Sequence, residues 1–109
     1  MPKNLNYSIL LDYYGALLTD KQRETLEYYY NEDLSLSEIS EIVGTSRQGV
    51  MDLIKRSEQQ LNSFEMKLGL MEKFKSINFA IDIISEVIDK ISDVELKNEL
   101  QGALNKLSY

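Results

Sequence analysis

Leu34-Ser-Leu-Ser-Glu-Ile-Ser-Glu-Ile-Val-Gly-Thr-Ser-Arg-Gln-Gly-Val-Met-Asp-Leu-Ile-Lys-Arg56 decides the architecture of this chain. Ser35 followed by Glu38 is a capping box, in which the hydroxyl accepts an orphan N–H of the first helical turn and the carboxylate reaches back to the cap residue's own N–H. The box opens a helix of about eight residues, and Gly44 closes it, since glycine takes the left-handed conformation without steric cost. Thr45 or Ser46 then caps a second helix, with Gln48 three residues beyond Thr45 and with Val50, Leu53 and Ile54 following at helical spacing. Ile39, Val43, Val50 and Leu53 seal the two helices together, and the small Ser40 lets them approach closely. This pattern is that of a helix-turn-helix, whose second helix offers its N-terminal side chains to the major groove of DNA. A plain helical hairpin shares the outline, but the turn glycine, the small residue and the apolar contacts at fitting offsets favour the helix-turn-helix.

Outward from this unit the chain continues to read as helix. Ile9, Leu10, Tyr13, Tyr14, Leu17 and Leu18 form one wide stripe within residues 4 to 18, because residues three and four apart share a face. Thr19 with Gln22 is a second capping box, opening a helix to about Tyr30 whose buried side is Leu26, Tyr29 and Tyr30. On the C-terminal side the apolar pattern runs on through Leu61, Phe64 and Leu68. Gly69 costs roughly 1 kcal/mol inside a helix, which predicts a break between residues 67 and 70. Ile77, Ile81, Ile84, Ile88 and Ile91 then recur at alternating four and three, and Ser92 with Glu95 is a further capping box before Leu96, Leu100, Leu104 and Leu107. The expected class is all-α, a helix-turn-helix followed by long C-terminal helices forming a helical hairpin. Its expected organisation is one domain over 1–109, with the helix-turn-helix core at about 19–66 and the extension at about 67–109.

Composition narrows the chemistry. The 109 residues hold neither Cys nor His, which removes thiol nucleophiles, disulfides, zinc fingers and imidazole bases; no enzyme activity, cofactor or metal is expected. Isolated acidic pairs such as Glu32 with Asp33, or Asp89 with Asp93, are expected only to solubilise. No apolar span reaches 18 residues and no cleavable leader is evident, so the expected location is cytoplasmic, without membrane insertion. A formal charge of -6 disfavours coating in nucleic acid by bulk charge, so any basic patch must be local.

One such patch exists. Residues 45 to 57 hold Arg47, Lys55 and Arg56 against only Asp52, with Glu38 and Glu41 on the preceding helix. Ser46, Arg47 and Gln48 are the expected groove readers, because Arg pairs bidentately with guanine and Gln with adenine, while Lys55, Arg56, Lys21 and Arg23 are candidates for phosphate. A solvated face with salt bridges accounts equally well for Lys55 and Arg56. Tyr13, Tyr14, Tyr29 and Tyr30 fall on core faces, leaving only Tyr28 expected to be exposed for base stacking. In the C-terminal half, Phe79 and Ile83 project beyond the isoleucine stripe, and this second apolar surface predicts a homodimer through this region.

The run Leu18-Thr-Asp-Lys-Gln-Arg23, continuing through Ser35 to Val50, is similar to the C-terminal promoter-reading domain of bacterial sigma factors, region 4 of the sigma-70 type. Asp12-Tyr13-Tyr14, Leu17-Leu18-Thr19, Lys21-Gln22, Tyr29-Tyr30, Ser35-Leu36, Ser46-Arg47-Gln48 and Ile54-Lys55-Arg56 resemble, over essentially the whole length, the YlxM-like family of small bacterial helix-turn-helix proteins. That resemblance implies an accessory or regulatory role in the signal recognition particle pathway, with DNA, the particle's RNA or the particle's GTPase as candidate ligands. The alternatives are a sigma-like DNA-binding transcriptional regulator and a protein-interaction module without nucleic acid. Gly49 and Ser40 stand where such motifs more often carry Ala.

Overall fold

The computed structural model describes residues 3–107, and its main elements are six α-helices: α1 (Asn6–Tyr14), α2 (Asp20–Leu26), α3 (Leu36–Val43), α4 (Arg47–Leu68), α5 (Leu70–Ile88) and α6 (Val94–Asn105). A 3-10 turn, Gly15–Leu17, follows α1, and a π-helical turn, Glu27–Asn31, extends α2 to the point that the periodicity predicts. Among the described residues there is no strand, so the chain is all-α. The expected domain span includes residues 1, 2, 108 and 109, which lie outside the described residues. The chain divides at Met71 and Glu72 into two compact units, each treated by itself below.

In the first unit α1, α2 and α3 all pack on α4. The core is Leu10, Leu11, Tyr14, Leu18, Leu26, Ile39, Val50, Ile54 and Leu61. Each such side chain stabilises the fold by about 1.5 to 3 kcal/mol relative to exposure. Two expectations shift by one position. Leu11 is buried while Ile9 and Leu17 are exposed, because α1 gives way to the 3-10 turn at Gly15 and Leu17 rotates outward. On α4, Ile54 rather than Leu53 enters the core beside Val50.

Local signals fix where these helices start and stop. Thr19 and Gln22 make both capping-box bonds, at 3.2 and 3.0 Å, and Gly69 takes the left-handed conformation at φ 62, ending α4 inside the expected window. The seam after Gly69 is tied by polar groups. The buried Tyr14 hydroxyl donates to Glu65 Oε1 at 2.6 Å and accepts from the Leu70 N–H at 3.0 Å, while the same carboxylate oxygen accepts from the Met71 N–H at 3.0 Å. Tyr30 donates in a very short bond to Glu58, and Asn62 Nδ2 donates to the Tyr7 hydroxyl at 2.8 Å.

The second unit is built differently. Its two helices are joined through residues 89–93, and among its described residues only Ile88 and Leu104 are buried apolar side chains. Ile77 and Ile81 are half-buried, Ile84 is exposed, and α5 ends at Ile88 so that Ile91 lies in the connection. The expected capping box of Ser92 and Glu95 is corrected: Asp93 is the cap, its carboxylate accepting from the Leu96 N–H at 3.0 Å. An Asp side chain reaches the same orphan donor that Ser would, and the helix therefore starts one residue later.

Two expected outcomes follow from this packing. Burial first, then the hydrogen bond to Glu65, raises the Tyr14 phenol above its ordinary value of 10.0, and burial with Glu58 does the same for Tyr30. The folded chain keeps protons that the unfolded chain loses above about pH 10, so this stability is full below that pH and falls as pH rises. In an alkaline titration followed at 295 nm, Tyr14 and Tyr30 should ionise only together with cooperative loss of helix, and Tyr14→Phe and Tyr30→Phe should each reduce that late step. Second, Thr25 is fully buried and its hydroxyl has no partner among the described residues. Thr25→Val should raise the thermal midpoint by a few degrees, on the order of 1 kcal/mol, since a buried unsatisfied hydroxyl is replaced by a methyl of similar shape. Calorimetry showing a lower midpoint would contradict this.

Candidate nucleic-acid interface

The site is the α3–turn–α4 unit, assembled by the caps read in the sequence. Glu38 N–H donates to Ser35 Oγ and Ser35 N–H to Glu38 Oε1, both at 3.1 Å, and these bonds from Ser35, backbone first, hold the Glu38 carboxyl below its ordinary range. Gly44 is left-handed at φ 75, with its N–H on Ser40 O at 3.0 Å, so the chain turns directly into α4. Of the two cap candidates the residue used is Ser46, whose Oγ accepts from the Gly49 N–H at 3.0 Å. Thr45 instead donates to Ser46 O at 3.3 Å. A Cβ at position 49 would stand 2.6 Å from Thr45 Oγ1 and 3.2 Å from Ser46 Oγ. The cap turn itself therefore crowds any larger residue there, which accounts for glycine at the cost in helix propensity.

The expected groove readers stand at the start of α4. Arg47 is its first residue, exposed and without an ion pair among the described residues. Gln48 does not complete a capping box; its Nε2 donates to Asp52 Oδ1 at 2.9 Å, one turn along the same face. Ser46 keeps its hydroxyl proton free to donate, since its oxygen serves the cap as acceptor. Lys55 and Arg56 are exposed farther along the helix, with Arg56 Nε at 3.5 Å from Asp52 O. Lys21 is exposed on α2, whereas Arg23 on the same helix is engaged by Asp20 at 3.3 Å and Glu27 at 3.8 Å.

Two further acids of α4, Glu58 and Glu65, lie just beyond residues 45 to 57. Glu58 and Glu65 fall in step with the apolar residues Ile54 and Leu61, at spacings of four and three, and so lie on the core-facing side of α4 where they accept the Tyr30 and Tyr14 hydroxyls. Of the acids on α4, Asp52 is the one left on the outward strip with Gln48 and Lys55. The tyrosines are accounted for as well. Tyr28, expected to be exposed, is half-buried against the core like Tyr29 and Tyr30. Asp33 pairs with Lys3 at 3.0 Å and Asp93 caps α6, so each has a structural partner. No helix among the described residues is long and apolar enough to cross a membrane.

Residues 1–104 match the family model UPF0122, described as "Putative helix-turn-helix protein, YlxM / p13 like". A UPF0122 protein of Clostridium novyi is 46% identical over 107 residues, covering 98% of this chain and 90% of the relative. One from Thermoanaerobacter sp. is 46% identical over 101 residues, covering 93% and 86%, and one from Caldanaerobacter subterraneus is 54% identical over 81 residues, covering 74% and 69%.

The cap geometry separates two neighbouring hydroxyls. Ser46→Ala should destabilise the protein by about 1 kcal/mol, because the Gly49 N–H loses its acceptor, while Thr45→Ala should change stability by less than about half of that. Urea unfolding of both variants checks this; equal losses would mean that Thr45 shares the cap.

Proposed function

The chain belongs to the UPF0122 family of YlxM/p13-like helix-turn-helix proteins, and we propose that it is a non-enzymatic binding protein whose α4 contacts nucleic acid. The setting that its resemblance implies is the signal recognition particle pathway in the cytoplasm, with the protein as an accessory or regulatory component. One observation carries the proposal: Arg47, Lys55 and Arg56 are all exposed on α4, where Asp52 is the one exposed acid and the carboxylates of Glu58 and Glu65 are engaged by tyrosine hydroxyls. The N-terminal end of α4 adds the partial positive charge of unpaired backbone N–H groups beside Arg47, which suits a phosphate. Its neighbour Gln48, held by Asp52, supports a second reading as a sigma-like DNA-binding regulator, since an amide with a fixed orientation can discriminate a base edge.

Affinity capture from a bacterial lysate, with and without nuclease, tests the proposal. Recovery of the particle's RNA that disappears on nuclease treatment supports it, and enrichment of a discrete DNA sequence supports the regulator. A targeting GTPase still recovered after nuclease, with no nucleic acid bound beforehand, overturns the nucleic-acid proposal in favour of a protein-interaction module.

For whichever nucleic acid is retained, Arg47→Ala, Lys55→Ala and Arg56→Ala together should weaken binding and flatten its salt dependence by up to about three phosphate contacts. A triple variant with the full salt slope in a filter-binding titration would place the contact on another surface.

A further inference from the structure

The second unit keeps its apolar residues in water. Along α5, Phe79, Ile83 and Val87 recur every four residues beside the row of Ile77, Ile81, Ile84 and Ile88, so the apolar arc passes half the circumference of the helix. Phe79 is 69% exposed and Val87 55%, and on α6 Leu96 is 48% and Leu100 39% exposed. This unit's own apolar core is small: Ile88 and Leu104 are buried, and Phe74, Ile77, Ile81 and Ile91 are half-buried, while ordering two helices costs roughly 1 kcal/mol or more per residue. Something must cover this face.

We propose that the cover is a second copy of the same chain, its α5 running antiparallel to the first so that Phe79 of one copy meets Val87 of the other and the two Ile83 side chains meet at the centre, with the two α6 helices closing a four-helix bundle. Three features favour a copy over an unrelated partner. The exposed apolar side chains of α5 and α6 present on the order of 600 Å² before any polar rim is counted, close to the roughly 800 Å² per partner of a standard stable interface. The pattern is self-complementary, since the two rows on α5 are both centred near Ile83 and an isologous pairing sets the same patch against itself. Charge agrees with the direction: Glu72, Lys73 and Lys75 give the start of α5 a net positive charge, and Asp82 and Glu86 with Asp89 and Lys90 just beyond the helix give its other end a net negative one, so antiparallel pairing sets unlike ends opposite each other. Each dimer then carries two helix-turn-helix units.

Sedimentation equilibrium on nuclease-treated protein, from about 1 to 100 μM, tests this independently of any nucleic-acid function. The wild type should sediment at twice its 12.6 kDa chain mass. Phe79→Ala with Ile83→Ala should raise the dissociation constant about a hundredfold or more while keeping the helices, because Ala is a strong helix former, and Phe79→Asp with Ile83→Asp should be monomeric. Circular dichroism above the dissociation constant checks helix content in the Ala variant. A wild type that stays at the single-chain mass or forms trimers, or an Ala and an Asp variant as dimeric as wild type, overturns the proposal.

Discussion

The pairing of the α4 glutamates with core tyrosines is the constraint on which the first unit depends. Glu58 and Glu65 sit half-buried toward the core side of α4, where a carboxylate is partly withdrawn from water and gains from a protein donor. Tyr30 and Tyr14 supply the donors from the two segments that lie against α4, and the Tyr14 hydroxyl also accepts from Leu70. One set of bonds therefore does two things. It ties α1 and the π-helical turn after α2 to α4, and it engages two carboxylates of the helix that carries Arg47, Lys55 and Arg56. Packing and surface potential are thus linked through the same residues, and a substitution that freed either glutamate would alter both.

Much of this unit was legible because its helix ends are written in local chemistry. The boxes Thr19–Gln22 and Ser35–Glu38, and the glycines at 44 and 69, depend on residues within one turn of each other, so no tertiary information is needed to read them. Where two residues compete for one role the sequence leaves a tie. Thr45 against Ser46 and Ser92 against Asp93 are such cases, since either side chain reaches an orphan N–H and the choice depends on which backbone enters the helix first. The expected role of Gln48 in a capping box failed for the same reason: once Ser46 is the cap, the third helical position is Gly49, and the Gln48 amide turns to Asp52 instead.

Tertiary choices were less legible. That Leu11 and not Ile9 is buried depends on how α1 is rolled against α4, and Leu17 is thrown outward by a change of helix type at Gly15. The candidate site itself was found from residue types and offsets, but its electrostatic character was not. The count over residues 45 to 57 stops short of Glu58 and Glu65, and it is their four-and-three spacing with Ile54 and Leu61 that places them toward the core side of α4.

The two units differ in what holds them, and that difference has a functional side. The first buries its apolar groups internally, so α4 is held on its inner face by six core side chains from the other segments and two tyrosine hydroxyls while Arg47, Lys55 and Arg56 stay exposed. A contact surface mounted on such an element loses little flexibility on binding, which lowers the entropic cost of recognition. The second unit has surplus apolar surface and few internal contacts, which is the profile of an element ordered by association. The division falls between Met71 and Glu72, just past Gly69, whose left-handed conformation ends α4 before the isoleucine-rich helix begins.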